Sequence, residues 1–275
     1  MIDSPKERLC QRGIFGGTFD PVHYGHLAIA QAALVAQSLT EVIWLPQIFP
    51  THKSAITPVH QRWTMVDLAI EPYPQFRLPT SLESWYKSLG GDLSTLSTSI
   101  SLAKLSELSE LSDLSELATP STLSTPSSII PPQLITPTPD YAVYQWQSLK
   151  NLYPHSNWFW ILGADSFLTL PRWKGREVLI PACRWLIATR NPLEPQIEPQ
   201  KLSESLELQK IQQVIKDIQL QGINISWQIL PMSSIDISST SIRQSFQSLQ
   251  SLPSPEKSLP ASVQQYIESH SLYRH

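Results

Sequence analysis

The chain has 275 residues, enough to bury one good core or two small ones. Its 41% hydrophobic and 16% charged content suits a soluble globular protein, and a net charge of -3 (20 basic against 23 acidic residues) argues against a general nucleic-acid or anionic-membrane binder. Cys10 and Cys183 lie far apart in unlike contexts, so no disulfide is expected and a reducing cytoplasm fits.

Residues 1–10 read as an irregular tail without the apolar core of a signal peptide. A strand is predicted over Gln11 to Phe15. Gly16 and Gly17 then let the backbone turn and approach a ligand closely. Asp20-Pro21 is a turn signal. Leu27, Ala30, Ala33 and Leu34 mark a helix from about Tyr24 to Ser38. His23 and His26 stand three apart at its entrance and can share a face. Strand, glycine turn and helix N-terminus together make an anion site. Glu41 to Pro46 is a continuous apolar run that reads as a buried parallel strand. A polar loop with Pro50, His52 and Lys53 follows. Thr57-Pro58 predicts a helix start, a capping hydroxyl and then proline at the first helical position, with Trp63, Val66 and Ile70 at helical spacing. A short strand is expected around Phe76 to Leu78.

From about Lys87 to Pro139 the composition shifts to Ser, Thr, Leu and Pro. Four tandem Leu-Ser-Glu/Asp triplets run from Leu105 to Glu116. A three-residue period drifts about 60° per repeat on an α-helix and leaves no fixed stripe. The stretch reads as a low-complexity, disordered insertion at about 88–138 in a single domain. No run reaches membrane-spanning length.

Order resumes with a helix from Asp140-Tyr141 to Tyr153. Trp158 to Leu162 is a central strand that ends at the turn Gly163-Ala164-Asp165-Ser166. A short helix and the loop Leu170-Pro171-Arg172-Trp173 come next, then a strand over Arg184 to Thr189. Leu208, Ile211, Ile215 and Ile218 mark an amphipathic helix stopped by Gly222. Ile225 to Leu230 is the last strand. Ile237 to Arg243 opens another helix, and Val263 and Ile267 mark a short final one. Strand and helix alternate, which predicts an α/β, Rossmann-like parallel sheet with helices on both faces. Ligands bind such sheets beyond the carboxyl ends of the strands, at the switch point. The turns at Gly16, Gly163 and Arg190 would share that edge.

The stretch Gly16-Gly17-Thr18-Phe19-Asp20-Pro21-Val22-His23-Tyr24-Gly25-His26 resembles the first signature of the H/T-x-G-H nucleotidyltransferases, and most of all nicotinate-nucleotide adenylyltransferases. Ile237-Ser238-Ser239-Thr240-Ser241-Ile242-Arg243 resembles their second signature. On its own it reads as an N-cap with a cation near the first turn, a conflict that a bound anion would remove. The resemblance runs from Gly13 to about Glu83 and from Pro139 to Arg274, including Ser271-Leu272-Tyr273-Arg274. It implies adenylyl transfer from ATP to nicotinate mononucleotide, giving deamido-NAD and pyrophosphate in NAD biosynthesis.

The resemblance also implies roles for single residues. His23, His26 and Arg243 would be catalytic. Gly16, Gly17, Thr18, Phe19, Gly163, Asp165, Ser239 and Thr240 would bind ATP, with Asp165 meeting ribose hydroxyls. Lys53 matches a basic loop near the phosphates, though a solvated lysine explains it as well. Trp173 would stack on the pyridine ring, and Tyr141, Ala142 and Arg190 would line the nicotinate mononucleotide side. Mg²⁺ would ride on the ATP phosphates rather than on protein ligands. His23 and His26 lack further partners at the spacing zinc needs, and no serine or cysteine sits in a nucleophile elbow. The family usually reads Pro-Ser-Tyr-Thr where this chain has Pro139-Asp140-Tyr141-Ala142. The missing hydroxyl puts acid-over-amide preference in question. Nicotinamide mononucleotide is therefore the runner-up substrate, and a catalytically silent nucleotide-binding scaffold is an alternative of another class. Neither a nucleic-acid nor a membrane partner is expected, and a homo-oligomer is left open.

Overall fold

Six parallel strands form one sheet in the order β3-β2-β1-β4-β5-β6. They are β1 (Cys10–Gly17), β2 (Glu41–Pro46), β3 (Phe76–Arg77), β4 (Ser156–Gly163), β5 (Cys183–Ala188) and β6 (Ser226–Ile229). The helices are α1 (Tyr24–Ala36), α2 (Val59–Ile70), α3 (Leu82–Ser88), α4 (Ala142–Leu152), α5 (Ala164–Phe167), α6 (Arg176–Ala182), α7 (Leu206–Leu220), α8 (Ser239–Gln247) and α9 (Ala261–Ser269). This computed structural model describes residues 9–50, 57–93, 141–189, 206–232, 237–247 and 258–274.

The apolar runs are continuous because the sheet is covered on both faces. Side chains alternate along a strand, so each run splits between two cores. Ile14, Ile43, Leu45, Trp160, Leu162 and Ile187 join one with α3, α4, α6 and α7. Phe15, Val42, Trp44, Phe159, Ile161 and Leu186 join the other with α1, α8 and α9. Helix α2 serves both: Val59 and Trp63 face the first core, Met65 and Val66 the second. The predicted stripe of α7 is the buried one, and Gly222 ends it at a left-handed φ of 76°.

Several boundaries differ from the sequence reading. Strand β1 runs on through Gly16 and Gly17, because these residues pair with Leu45 and Pro46 of β2. Helix α2 starts one residue later than predicted, with Pro58 at the cap position. The Pro58 carbonyl takes the first bonds from the amides of Gln61 and Arg62, and no side chain caps the turn. Helices α3 and α6 were not anticipated. Both are short, and α6 carries Pro181 within its span. The expected low-complexity stretch begins with ordered contacts: Leu89 and Leu93 pack on the first core. Its remainder lies outside the described residues. The flanking helices touch, since the Ser148 hydroxyl of α4 donates to the Ser88 carbonyl at 3.0 Å.

Candidate active site

The order 3-2-1-4-5-6 places the switch point between β1 and β4, whose carboxyl ends carry Gly16-Gly17 and Gly163. Gly17 has a packing reason. The Phe19 ring lies across it, and a β-carbon there would meet ring atoms at 2.9–3.3 Å. Gly16 and Gly163 have none: a β-carbon would meet nothing nearer than 3.9 Å at Gly16 and nothing within 4 Å at Gly163. The space before both glycines is open, as a ligand-facing edge requires.

His23 caps α1 with an extended backbone, and His26 is the third helical residue. Their rings stack with centroids 3.8 Å apart. Phe15 and Phe19 close the other sides of His26, with ring centroids at 6.2 and 5.0 Å. The His23 amide donates to His26 Nδ1 at 3.3 Å. An accepting Nδ1 puts the proton of a neutral ring on Nε2, leaving an N–H donor at the far end of the ring. His23 is buried, and its Nδ1 has no hydrogen-bond partner. Burial lowers its pKa to about 4, so it is neutral at pH 7.

That shift makes a prediction. The unfolded histidine titrates near 6.5, so from there down to about pH 4 the unfolded chain binds a proton the folded chain does not. His23 should cost stability progressively over this window as pH falls, at up to roughly 1.4 kcal/mol per pH unit. Urea unfolding of the unaltered protein and His23→Asn at pH 7 and pH 4.5 checks it. The gap between the two should shift towards the variant at the lower pH, and parallel profiles would contradict the assignment.

The second signature docks on the turn that precedes His23. Ser238 caps α8, accepting the Ser241 amide at 3.1 Å. Arg243 is the fifth residue of α8, past the first turn. Its Nη1 donates to the Asp20 carbonyl at 2.6 Å, while Nη2 reaches Thr240 Oγ1 at 3.4 Å. The Ser239 hydroxyl donates to the Pro21 carbonyl at 3.0 Å. Residues 218 and 223 positions apart thus meet on one two-residue turn. Thr240 is exposed. Thr18 Oγ1 donates to Gln47 Oε1 at 3.1 Å, joining the loops after β1 and β2.

Beyond β4, Asp165 is exposed in the first turn of α5. Trp173 packs edge-on against Trp160 and Trp185, both at 5.9 Å, and its indole N–H donates to Thr169 Oγ1 at 2.9 Å. The ring is therefore held on a rigid aromatic base. Tyr141 caps α4 and Ala142 is its first residue. The Lys174 ammonium sits 4.7 Å from the centre of the Tyr141 ring. Lys53 and Arg190 lie outside the described residues.

One residue that the sequence reading passed over is Arg62 of α2, only 1% exposed. Its Nε donates to Thr57 O and its Nη1 to Thr18 O, both at 2.8 Å, and Nη2 makes a longer bond to Ile48 O at 3.5 Å. It ties three loops at the site's edge together. A signal existed: Arg62 stands in register with Val59, Val66 and Ala69, all buried positions of α2.

Switch-point glycines, a histidine pair at a helix entrance and a hydroxyl-rich helix start define a nucleotidyltransferase of the Rossmann-like α/β class. A Cytidylyltransferase-like family model matches residues 14–86. Two proteins named probable nicotinate-nucleotide adenylyltransferase, from Trichormus variabilis and a Nostoc species, are 31% and 30% identical over 260 residues, spanning 94% of this chain and 95% of each of theirs. The chain belongs to the nicotinate-nucleotide adenylyltransferase family. The Plasmodium falciparum nicotinic acid mononucleotide adenylyltransferase complexed with NaAD shares the fold, with a TM-score of 0.56 at 15% identity over 96% of this chain and 97% of that one.

Proposed function

We propose that this enzyme transfers the adenylyl group of ATP to nicotinate mononucleotide, releasing pyrophosphate and forming deamido-NAD. The observation that carries the reading is the docking of α8 on the Asp20-Pro21 turn, which joins both signatures at the switch point. The 5′-phosphate of the mononucleotide attacks the α-phosphate of ATP in line. One P–O bond forms as the bond to the leaving pyrophosphate breaks. No covalent enzyme intermediate is needed, so catalysis is positioning and stabilisation of developing charge. His26 Nε2–H, the neutral His23 ring and the Arg243 guanidinium supply the donors. Gly16, Gly17, Gly163, Ser239 and Thr240 give the nucleotide room and hydroxyls, and Asp165 takes ribose hydroxyls. Lys53 and Arg190 would add positive charge near the phosphates and the mononucleotide.

Mg²⁺ would enter with ATP. Phosphate oxygens and water would be its ligands, as is usual for Mg²⁺. No described helix is long and apolar enough to cross a membrane. We take the enzyme to work in the cytoplasm.

Trp173 would stack on the pyridine ring of acid or amide alike. Main-chain donors near Tyr141 and Trp173 do not need the hydroxyl absent at Ala142, and an ionised acceptor gains more from them than a neutral amide does. The acid should be preferred. Pyrophosphate release with ATP, Mg²⁺ and each mononucleotide tests this: faster turnover of the acid supports it, and equal or faster use of the amide overturns the substrate assignment. Ala142→Thr should raise the acid-over-amide ratio in kcat/KM about tenfold, one hydrogen bond to a charged group.

The low-complexity stretch is read as an insertion in a single domain. Replacing residues 95–138 by a short glycine–serine link should leave a folded, active enzyme, because α3 and α4 already touch. Loss of folding or activity would show that the segment supports the core.

A further inference from the structure

The turn before His23 is held from more directions than the two signatures require. Asp20 is only 3% exposed. Its Oδ1 accepts the Tyr273 hydroxyl at 2.6 Å, and its Oδ2 accepts the Thr57 amide at 3.4 Å. Its carbonyl takes Arg243, and the next carbonyl takes Ser239. Four donors from three segments distant in sequence, Thr57, α8 and Tyr273, thus bond to two residues.

The backbone is strained at Tyr273 and at Phe19, the residue before Asp20. Phe19 has a φ of 52° and Tyr273 a φ of 66°, the left-handed region that bulky side chains avoid. Such conformations persist where the surroundings over-determine them. Tyr273 also stays a donor: burial, and then the charge of Asp20, push its pKa above the usual tyrosine range.

We propose that Tyr273 is a positioning residue for adenylyl transfer, acting through the Asp20 carboxylate to hold the turn on which Arg243 docks. A rigid Asp20 carbonyl fixes where the guanidinium lies relative to the histidine pair, and a displacement of about 1 Å at a reacting centre can cost 100-fold. The proposal rests on the reading of Arg243 as a phosphate ligand.

A double-mutant cycle in kcat separates positioning from general support of the fold. Tyr273→Phe keeps the ring and removes only the hydroxyl. It should lower kcat at least tenfold in the unaltered enzyme and less than twofold in Arg243→Ala, with equal shifts in melting temperature in both backgrounds. Affinity for a non-hydrolysable ATP analogue, measured by calorimetry, gives the same comparison where Arg243→Ala turns over too slowly to assay. Should Tyr273→Phe not fold, Asp20→Ala removes the acceptor of the same bond, together with that of the Thr57 amide, and takes its place in the cycle. Equal losses in both backgrounds, or no loss in either, overturn the proposal. An unaltered enzyme without adenylyl transfer would instead refute the reading of the site.

Discussion

His26→Ala should fold and lose at least ~100-fold in kcat, the usual cost of removing one donor aimed at developing charge. The ring is half-buried and held by Phe15, Phe19 and the stacked His23. Its Nδ1 is committed to the His23 amide, so only Nε2–H points away from that contact. Losing the Nδ1 acceptor at the third helical position costs about 1 kcal/mol, the worth of a cap. Circular dichroism should show a modest drop in melting temperature, and rapid-quench kinetics the large loss in the chemical step. A folded variant with unaltered turnover would remove His26 from the mechanism.

Arg62→Ala should be the most destabilising single change at the site, by about 3–5 kcal/mol. It empties a buried volume and leaves carbonyls of Thr18, Ile48 and Thr57 short of a donor, each lost bond counting about 1–3 kcal/mol where water cannot replace it. Arg62→Lys should recover only part, because a single ammonium cannot span three carbonyls on separate loops as the planar guanidinium does. Urea denaturation measures both. A cost below about 1 kcal/mol for the alanine variant would mean that the three loops hold their places without it.

Much of this arrangement could be read from local patterns. Strands β2 and β4 announced themselves as apolar runs because both their faces are buried, and α7 by a stripe that alternates with polar residues. The two signatures were legible because each is contiguous and rich in residues with restricted roles: glycines, paired histidines, four hydroxyl residues in a row. Helix α6 was not, since its seven residues bury only Leu179 and Ile180 and include a proline. Nor was the fastening of the site. Asp20 read as a turn residue, and nothing local says that its carboxylate meets a tyrosine 253 positions on. Arg62 carries a charge that ordinarily marks a surface position, yet α2 lies between two cores and buries it in register with Val59, Val66 and Ala69.

In the proposed reaction a pyridine mononucleotide phosphate attacks the α-phosphate of ATP, with the acid preferred. It is tested most directly by supplying ATP labelled at the α-phosphorus to the enzyme with equal amounts of nicotinate and nicotinamide mononucleotide. The label should pass into dinucleotide one-for-one with pyrophosphate release, deamido-NAD should exceed NAD, and no label should stay on the protein. Label retained on the enzyme, or NAD as the main product, would contradict it.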